Sequence, residues 1–245
     1  MSKTSIEWTD RTWNPTRGCS RVSPGCVNCY AERLAHRFQG QWIKDGPGMK
    51  FVQITNGHPQ WTGKVELIES KLTEPLHWRK PARIFVNSMS DLFHEALPDE
   101  AIDRVFAVMA LCPQHTFQVL TKRPERMRDY LQPGFQQQRV MDHCYKFTAS
   151  VRGFMPRLGR YPLPNVWLGV SVENQATADE RIPLLLQTPA ALRFVSYEPA
   201  LGPVDFGDYL GHLIGCDAAG YSLDGETCDC GAKGKIDWLI VGGES

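Results

Sequence analysis

Three cysteines near the start of the sequence have the spacing of metal ligands. Cys19, Cys26 and Cys29 form a C-x6-C-x2-C pattern, with Pro24 and Gly25 in the first spacer. Thiolates are soft anionic ligands that suit zinc or iron–sulfur clusters, and a two-residue gap lets two sulfurs reach one site. Three thiolates and one open position fit a [4Fe–4S] cluster with one iron left free for another ligand. The pattern therefore predicts such a cluster.

Two alternatives stay open for this triad. One is a zinc ion completed by a distant residue, because structural zinc prefers four protein ligands and no fourth cysteine or histidine follows at the spacing of a zinc ribbon. His36 is the nearest candidate. The other alternative is three buried cysteines that only pack.

The remaining cysteines give a weaker pattern. Cys112 and Cys144 are expected to pack in the core or in a loop. A later insertion, at about residues 207–235, offers four candidate ligands for an auxiliary zinc site: His212, Cys216, Cys228 and Cys230. The one-residue gap between Cys228 and Cys230 is unusual for zinc.

Length and composition predict one domain, residues 1–245, since 245 residues with 42% apolar content suffice for one large core. The 27 basic and 27 acidic side chains cancel, so a nucleic-acid role needs a local basic patch. The sequence has no apolar run of about 18 residues and no signal-like start, which favours a cytoplasmic protein without membrane contact. In that compartment the eight cysteines stay reduced.

Short β-rich runs alternate with helical or turn-rich stretches, which predicts an α/β fold. Their near-continuous apolar character favours parallel strands covered on both faces, in a sheet or a barrel. The runs are residues 64–68, 83–87, 116–121, 166–172, 192–197 and 237–241.

Three helices are predicted between these runs. Asp99 is expected to cap a helix with buried Ile102, Val105, Phe106 and Met109. A second helix buries its apolar stripe at residues 31, 34, 35 and 38, and a third begins near residue 124. Residues 39–63 and 132–164 are rich in turn-forming residues and are predicted to be loops or insertions over one face.

Polar clusters follow the predicted strands, at residues 87–91, 121–123, 171–174, 196–198 and 242–244. The carboxyl ends of parallel strands meet at one edge, so these clusters are predicted to share a site. The alternative is that they are ordinary loop caps.

Motifs along nearly the whole chain resemble a phage-associated three-cysteine-motif family of unsettled function. The first two are W-T-D-x-T-W-N-P at residues 8–15 and G-C-x6-C-x2-C-Y-A at residues 18–31. Further segments are S-M-S-D-L-F-H from residue 88, L-T-K-R-P from 120, L-G-V-S-V-E-N from 168, S-Y-E-P-x-L-G-P from 196 and D-W-x-I-V-G-G-E-S from 237. That family is similar to radical S-adenosylmethionine (radical SAM) enzymes, particularly those like spore photoproduct lyase and DNA-repair photolyases.

The resemblance implies a partial or full TIM-type (β/α) barrel with the cysteine loop after its first strand. Cys19, Cys26 and Cys29 hold three irons, and SAM chelates the fourth through its amino and carboxylate groups. Cleavage of SAM then gives a 5′-deoxyadenosyl radical that abstracts hydrogen from a nucleic acid or nucleotide, in an enzyme of lyase or transferase type.

The resemblance also assigns roles at the strand ends. Ser90 and Asp91 contact the SAM amino group or ribose, Lys122 its carboxylate, and three residues the ribose or substrate: Ser171, Glu173 and Glu198. Tyr197 donates hydrogen to the substrate or stacks on it. The alternatives are a solvated surface pair for Lys122 and Arg123, a turn residue for Glu198 and a buried barrel residue for Tyr197.

Two departures from radical SAM enzymes stand out. In those enzymes the first two cysteines are usually separated by three residues, whereas six separate them here. An aromatic residue usually precedes the last cysteine, but Asn28 occupies that position here, so Tyr30 is expected to supply the aromatic contact. The sequence also stops at Ser245, which predicts an incomplete carboxyl-terminal end and an open barrel seam.

Two function classes follow. The first is a radical SAM-like enzyme with a phosphate-binding track of arginine and lysine residues at positions 122, 123, 126, 128, 152, 157 and 160. The second is a zinc-stabilised module that acts with a partner protein and has no catalysis. A metal-free hydrolase lacks any supporting motif.

Overall fold

The computed structural model describes residues 4–45, 50–132, 134–149, 161–210 and 235–242. Its strands are β1 (Arg11–Trp13), β2 (Thr16–Arg17), β3 (Val52–Thr55), β4 (His58–Trp61), β5 (Glu66–Leu67), β6 (Arg83–Val86), β7 (Thr116–Thr121), β8 (Val166–Val172), β9 (Arg193–Tyr197) and β10 (Trp238–Val241). Its helices are α1 (Tyr30–Asp45), α2 (Glu69–Leu72), α3 (Asp99–Ala110), α4 (Pro124–Tyr130), α5 (Phe135–Thr148) and α6 (Gln175–Gln187).

Six strands form one parallel sheet, in the order β1-β6-β7-β8-β9-β10. Each strand of this sheet therefore lies beside the sheet strand that follows it in the sequence, and all six end at the same edge, here called the carboxyl edge. The prediction of an α/β fold with parallel strands is confirmed. Burial explains the near-continuous apolar runs, because Ile84, Val86, Val170 and Val172 are fully buried.

The sheet curves around the indole of Trp8. The Trp8 ring centroid lies 4.7 Å from that of Phe85 on β6 and 6.3 Å from that of Trp238 on β10. These two strands are four positions apart, about 19 Å in a flat sheet with normal strand spacing. Phe194 on β9 also lies 6.3 Å from Trp8. The inner face of the curve is therefore filled with aromatic rings.

Helices cover the other face of the sheet. Four of the predicted inward residues of α3, Ile102, Val105, Phe106 and Met109, are buried as expected. The expectation that Asp99 caps this helix is wrong: Asp99 is its first residue, Pro98 precedes it, and no side chain caps it. Helix α4 begins at Pro124 as predicted.

A second, smaller core lies outside the sheet. Strands β3 and β4 form an antiparallel hairpin that packs on α1, and the buried members of this core are Ala31, Ala35, Phe51, Val52 and Trp61. The prediction of a loop for residues 39–63 is therefore wrong over the hairpin and over the end of α1. Within α1, Ala31 and Ala35 are buried, but Leu34 and Phe38 of the predicted stripe are 37% and 45% exposed.

Two other predicted elements are also wrong. Residues 64–68 do not join the parallel sheet, because only Glu66–Leu67 is a strand, and it pairs antiparallel with β2. The predicted loop over residues 132–164 contains the 14-residue helix α5. In the described part of the chain, no helix is both long and apolar enough to cross a lipid bilayer.

Gly169 on β8 tests the packing of the inner face. A Cβ atom there would lie 2.5 Å from the ring of Phe194, which is fully buried. We expect Gly169→Ala to lower the free energy of unfolding by about 1–3 kcal/mol, because a packed interior has no room for the added methyl group. Urea denaturation measures this change.

Gly40→Ala is the matched control. Gly40 lies in α1 with no atom within 4 Å of an added Cβ. The same substitution there is expected to raise the free energy of unfolding by roughly 0.5–1 kcal/mol, since alanine favours the helix. Equal effects of the two substitutions would contradict the packing of the inner face.

Candidate functional site

The cysteines lie in a loop at the carboxyl edge of the sheet, here called the Cys loop (residues 18–29). It follows β1 and the short strand β2. Gly18 forms a parallel bridge to Ser90, and the Ser90 hydroxyl lies 2.7 Å from the Thr16 hydroxyl. Gly18 has a φ of 88°, and an added Cβ would lie 1.9 Å from the carbonyl oxygen of Lys64. Only glycine fits where the Cys loop begins.

Arg123 fixes the first cysteine of the loop. Its guanidinium donates to the Ser20 hydroxyl at 2.8 Å, and its Nη1 lies 3.8 Å from the Cys19 sulfur. The side chain is only 6% exposed, so its charge must be paired. Asp91 provides that pair at 3.1 Å, with Glu95 beside it at 2.8 Å. The alternative of a solvated surface residue at Arg123 is therefore wrong.

Asp91 uses its carboxylate to join two strand ends. It accepts hydrogen bonds from the Thr121 hydroxyl at 2.8 Å and from the backbone N–H of Lys122 at 3.1 Å. It also accepts from the N–H of Phe93. Together with Arg123, these contacts connect the ends of β6 and β7 to the Cys loop.

His94 reaches the same loop, and sequence reasoning gave it no role. Its Nδ1 accepts from the backbone N–H of Ala96, and its Nε2 lies 2.9 Å from the Ser20 hydroxyl. Burial and the nearby charge of Arg123 lower the pKa of His94, so the imidazole is neutral near pH 7. The signal in the sequence was its place at the end of the S-M-S-D-L-F-H motif, which follows β6.

Glu173 is a fully buried carboxylate directly after β8. Its Oε1 accepts from the Ser23 hydroxyl of the Cys loop at 2.7 Å, from Arg181 at 3.4 Å and from the ammonium of Lys122. Burial alone raises the pKa of Glu173, but the hydrogen bond and charge of Lys122 outweigh it and lower the pKa. Glu173 is therefore ionised at neutral pH.

The second oxygen of Glu173, Oε2, is buried and has no hydrogen-bond partner in the described part of the chain. The Cys loop also touches this carboxylate directly, because an added Cβ at Gly25 would lie 2.5 Å from the Glu173 Cδ. Gly25, in the spacer between the first two cysteines, is thus a point of close contact with the sheet.

Glu198, which follows β9, and Tyr30, the first residue of α1, also lie at the carboxyl edge. Burial raises the pKa of Glu198. An added Cβ at Gly242, after β10, would lie 2.9 Å from the Glu198 Cδ. Tyr30 donates to the Ser88 carbonyl at 2.8 Å and is within electrostatic reach of both Cys29 and Glu198.

Ser171 and Tyr197 make hydrogen bonds within the edge. The Ser171 hydroxyl donates to the Glu198 carbonyl at 3.1 Å, and the Tyr197 hydroxyl donates to the Gly202 carbonyl. The two side chains therefore hold the backbone that follows β9, between Glu198 and Gly202. Their predicted contacts with SAM or substrate stay predictions.

The three cysteines are free and partly exposed. Cys19 and Cys29 both pack against the smaller core, and the charge of Cys26 acts on Cys29. Burial raises the pKa of the Cys19 thiol to about 12 and also raises that of Cys29. Among the described residues, no three His, Cys, Asp or Glu side chains form a group that could hold a single metal ion.

The predicted phosphate track stays a prediction, but each of its four basic residues in the described part of the chain already has an acidic partner. Lys122 and Arg123 are bound by Glu173 and Asp91, Arg126 by Asp99 and backbone carbonyls, and Arg128 by Asp129. The other three arginines, at positions 152, 157 and 160, lie outside the described residues. So do all four residues of the predicted zinc alternative: His212, Cys216, Cys228 and Cys230.

Comparison with known proteins gives a family without a function. Residues 3–245 match the model of a family described as a protein of unknown function (DUF5131). No curated protein and no solved structure shows significant similarity to the chain.

Gly25 tests the contact between the Cys loop and the sheet. We expect Gly25→Ala to displace the loop, because Lys122 and Arg181 hold Glu173 in place. In the reduced, metal-free protein, Cys26 should then react with iodoacetamide several-fold faster than in the wild type, as followed by peptide mass spectrometry. Gly40→Ala is the control; a wild-type rate in Gly25→Ala would contradict the contact.

The order of cysteine reactivity tests the burial of Cys19. The thiolate is the reactive form, and a pKa of about 12 leaves Cys19 almost wholly protonated at mildly alkaline pH. Cys19 should therefore be alkylated last among the three cysteines of the loop in the reduced, metal-free protein. Alkylation of Cys19 before Cys26 would show that it is not buried in this way.

Proposed function

We propose that this chain, which belongs to the DUF5131 family, is an iron–sulfur enzyme of the radical SAM type. Cys19, Cys26 and Cys29 would hold three irons of a [4Fe–4S] cluster, and SAM would bind the fourth. The observation that carries the proposal is the place of the Cys loop: it covers the carboxyl edge of a six-stranded parallel sheet and is bonded there to Arg123 and Glu173.

The donor set fits a cluster better than a single zinc ion. Three thiolates are present, and a structural zinc ion needs a fourth protein ligand. In a [4Fe–4S] cluster each cysteine binds a different iron, so three protein thiolates leave one iron open for SAM.

Sheet order and curvature support a partial TIM-type barrel. Sequential parallel strands are the order that barrels have, and the aromatic residues around Trp8 fill the inner face of the curve. In such barrels the active site lies at the carboxyl ends of the strands. The Cys loop and the polar residues of β6 to β9 lie at this edge.

In this proposal, some residues of the carboxyl edge position the Cys loop and others bind SAM or the substrate. Asp91, Arg123 and His94 hold the first part of the Cys loop in position through their own hydrogen bonds. Glu173, whose Oε2 has no hydrogen-bond partner among the described residues, and Glu198 would bind polar groups of SAM or substrate. When bound, the cluster, reduced by one electron from an external donor, would supply the chemistry that cleaves SAM to methionine and a 5′-deoxyadenosyl radical, which abstracts hydrogen from the substrate.

The substrate class we propose is a nucleic acid or nucleotide, with a lyase or transferase type of reaction. Lys122 remains close to the surface, with 19% of its side chain exposed, while its ammonium binds Glu173. An ammonium has three N–H donors, so Lys122 can bind a carboxylate or phosphate of a ligand while it stays paired with the buried Glu173.

Anaerobic reconstitution with iron and sulfide tests the proposal. The wild type should bind about four irons and four sulfides per chain, show broad visible absorption that dithionite bleaches, and cleave SAM to 5′-deoxyadenosine when reduced. Cys19→Ala, Cys26→Ala and Cys29→Ala should each lose SAM cleavage and most of the iron, because each removes one of three protein ligands.

Cys144→Ala is the matched control. Cys144 is buried beside α3, and its thiol donates to the Ala107 carbonyl, away from the Cys loop. It should keep iron, colour and SAM cleavage. A colourless wild type that holds one zinc per chain would contradict the proposal and favour a zinc-stabilised binding module.

A further inference from the structure

The positive charge of this chain is concentrated near its start. Between Arg11 and Val65 the sequence has eight Lys or Arg and two Asp or Glu, a net charge of +6. The whole chain has a net charge of zero, so the rest carries −6. This basic stretch contains the Cys loop, α1 and the β3–β4 hairpin, which share the smaller core. A local basic surface thus exists despite the neutral total.

Helix α1 has two acidic residues, Glu32 and Asp45, and the one next to the arginines, Glu32, is buried. Glu32 is 1% exposed and accepts two bonds from Arg21, at 2.9 and 2.6 Å. It also accepts from the N–H of Trp61 in the hairpin at 3.0 Å. From Tyr30 to Ile43 the helix has no other acidic residue. Its solvent face therefore has no negative charge over this length.

That solvent face carries arginines between apolar and aromatic side chains. Its residues follow the helical spacing i, i+3, i+4, i+7 and i+8: Tyr30, Arg33, Leu34, Arg37 and Phe38. All five are exposed. Arg33 and Arg37 have no hydrogen-bond or ion-pair partner among the described residues. The face begins at the residue after Cys29.

One further ring extends this surface. The ring of Trp42 lies 6.4 Å from that of Phe38, and the guanidinium of Arg17 lies 4.8 Å above Trp42. Exposed aromatic rings together with exposed guanidinium groups such as those of Arg33 and Arg37 are the chemistry that binds single-stranded nucleic acid, because bases stack on the rings and phosphates pair with the charges. A duplex hides the faces of its bases and lacks the first interaction.

We infer that the exposed face of α1 binds single-stranded nucleic acid and leads it to the Cys loop. Arg33 and Arg37 contact phosphates, and Phe38 stacks on a base. This inference rests on the proposed function in one respect: it takes the bound strand to be the substrate of the proposed enzyme. Binding to the α1 face needs neither cluster nor SAM, so it is tested on the metal-free full-length chain.

Fluorescence anisotropy with a short labelled single-stranded DNA and the same RNA sequence measures this binding. Arg33→Ala combined with Arg37→Ala should weaken binding at least tenfold at low salt. It should also reduce the slope of log K against log salt by about 1.4, since each phosphate contact on a single strand contributes about 0.7. Phe38→Ala should weaken binding by about tenfold and leave the slope unchanged.

Arg79→Ala combined with Lys80→Ala is the matched control. Both residues are exposed and precede β6, so they lie at the opposite edge of the sheet. This variant should bind within twofold of the wild type. Circular dichroism and the unfolding midpoint confirm that each variant is folded.

Three results would overturn the inference: no binding of either strand by the wild type, equal loss in the control variant, or duplex binding as tight as single-strand binding. Self-association of the wild type that Phe38→Ala abolishes would do so too, because a second copy would then cover the face. Each of these results leaves the iron and sulfide content unaffected, so failure here is distinct from failure of the proposed function.

Discussion

The attachment of the Cys loop to the carboxyl edge depends on two buried carboxylates. Asp91, which follows β6, pairs with Arg123, and Arg123 reaches the loop through Ser20. Glu173, which follows β8, pairs with Lys122 and accepts from Ser23 of the loop. A buried charge without its partner costs several kcal/mol. The loop, Arg123 and Lys122 therefore cannot move independently of β6, β7 and β8. The sheet thus fixes the position of the cysteines.

This constraint separates the molecule into two functional parts. The sheet with its outer helices supplies a rigid edge, where Glu173 and Glu198 lie close to the Cys loop. The smaller core of α1 and the β3–β4 hairpin holds Cys19 and Cys29 from the other side and carries the basic surface. A ligand that spans both parts would contact arginine and aromatic side chains on the basic surface and the cysteines in the Cys loop.

Sequence reasoning identified five of the six strands of the parallel sheet, because their apolar runs are continuous, and it placed the polar clusters at one edge. It missed β1, since three residues with one apolar side chain, Trp13, give no periodic signal. It also took Leu34 and Phe38 for core residues. Their spacing matches a buried stripe, but the small side chains Ala31 and Ala35 let the hairpin pack closely on a neighbouring face. Ser23, a partner of Glu173, is 150 residues away in the sequence, and no local pattern connects the two.

Low-temperature EPR of the reduced, reconstituted protein, recorded with and without SAM, is the decisive measurement of whether Cys19, Cys26 and Cys29 hold a cluster that binds SAM. Three protein thiolates leave one iron open, so we expect the signal of a reduced [4Fe–4S] cluster and a change in that signal when SAM binds. A protein without such a signal, or with a cluster signal that SAM leaves unchanged, would show that these cysteines do not form a SAM-binding cluster.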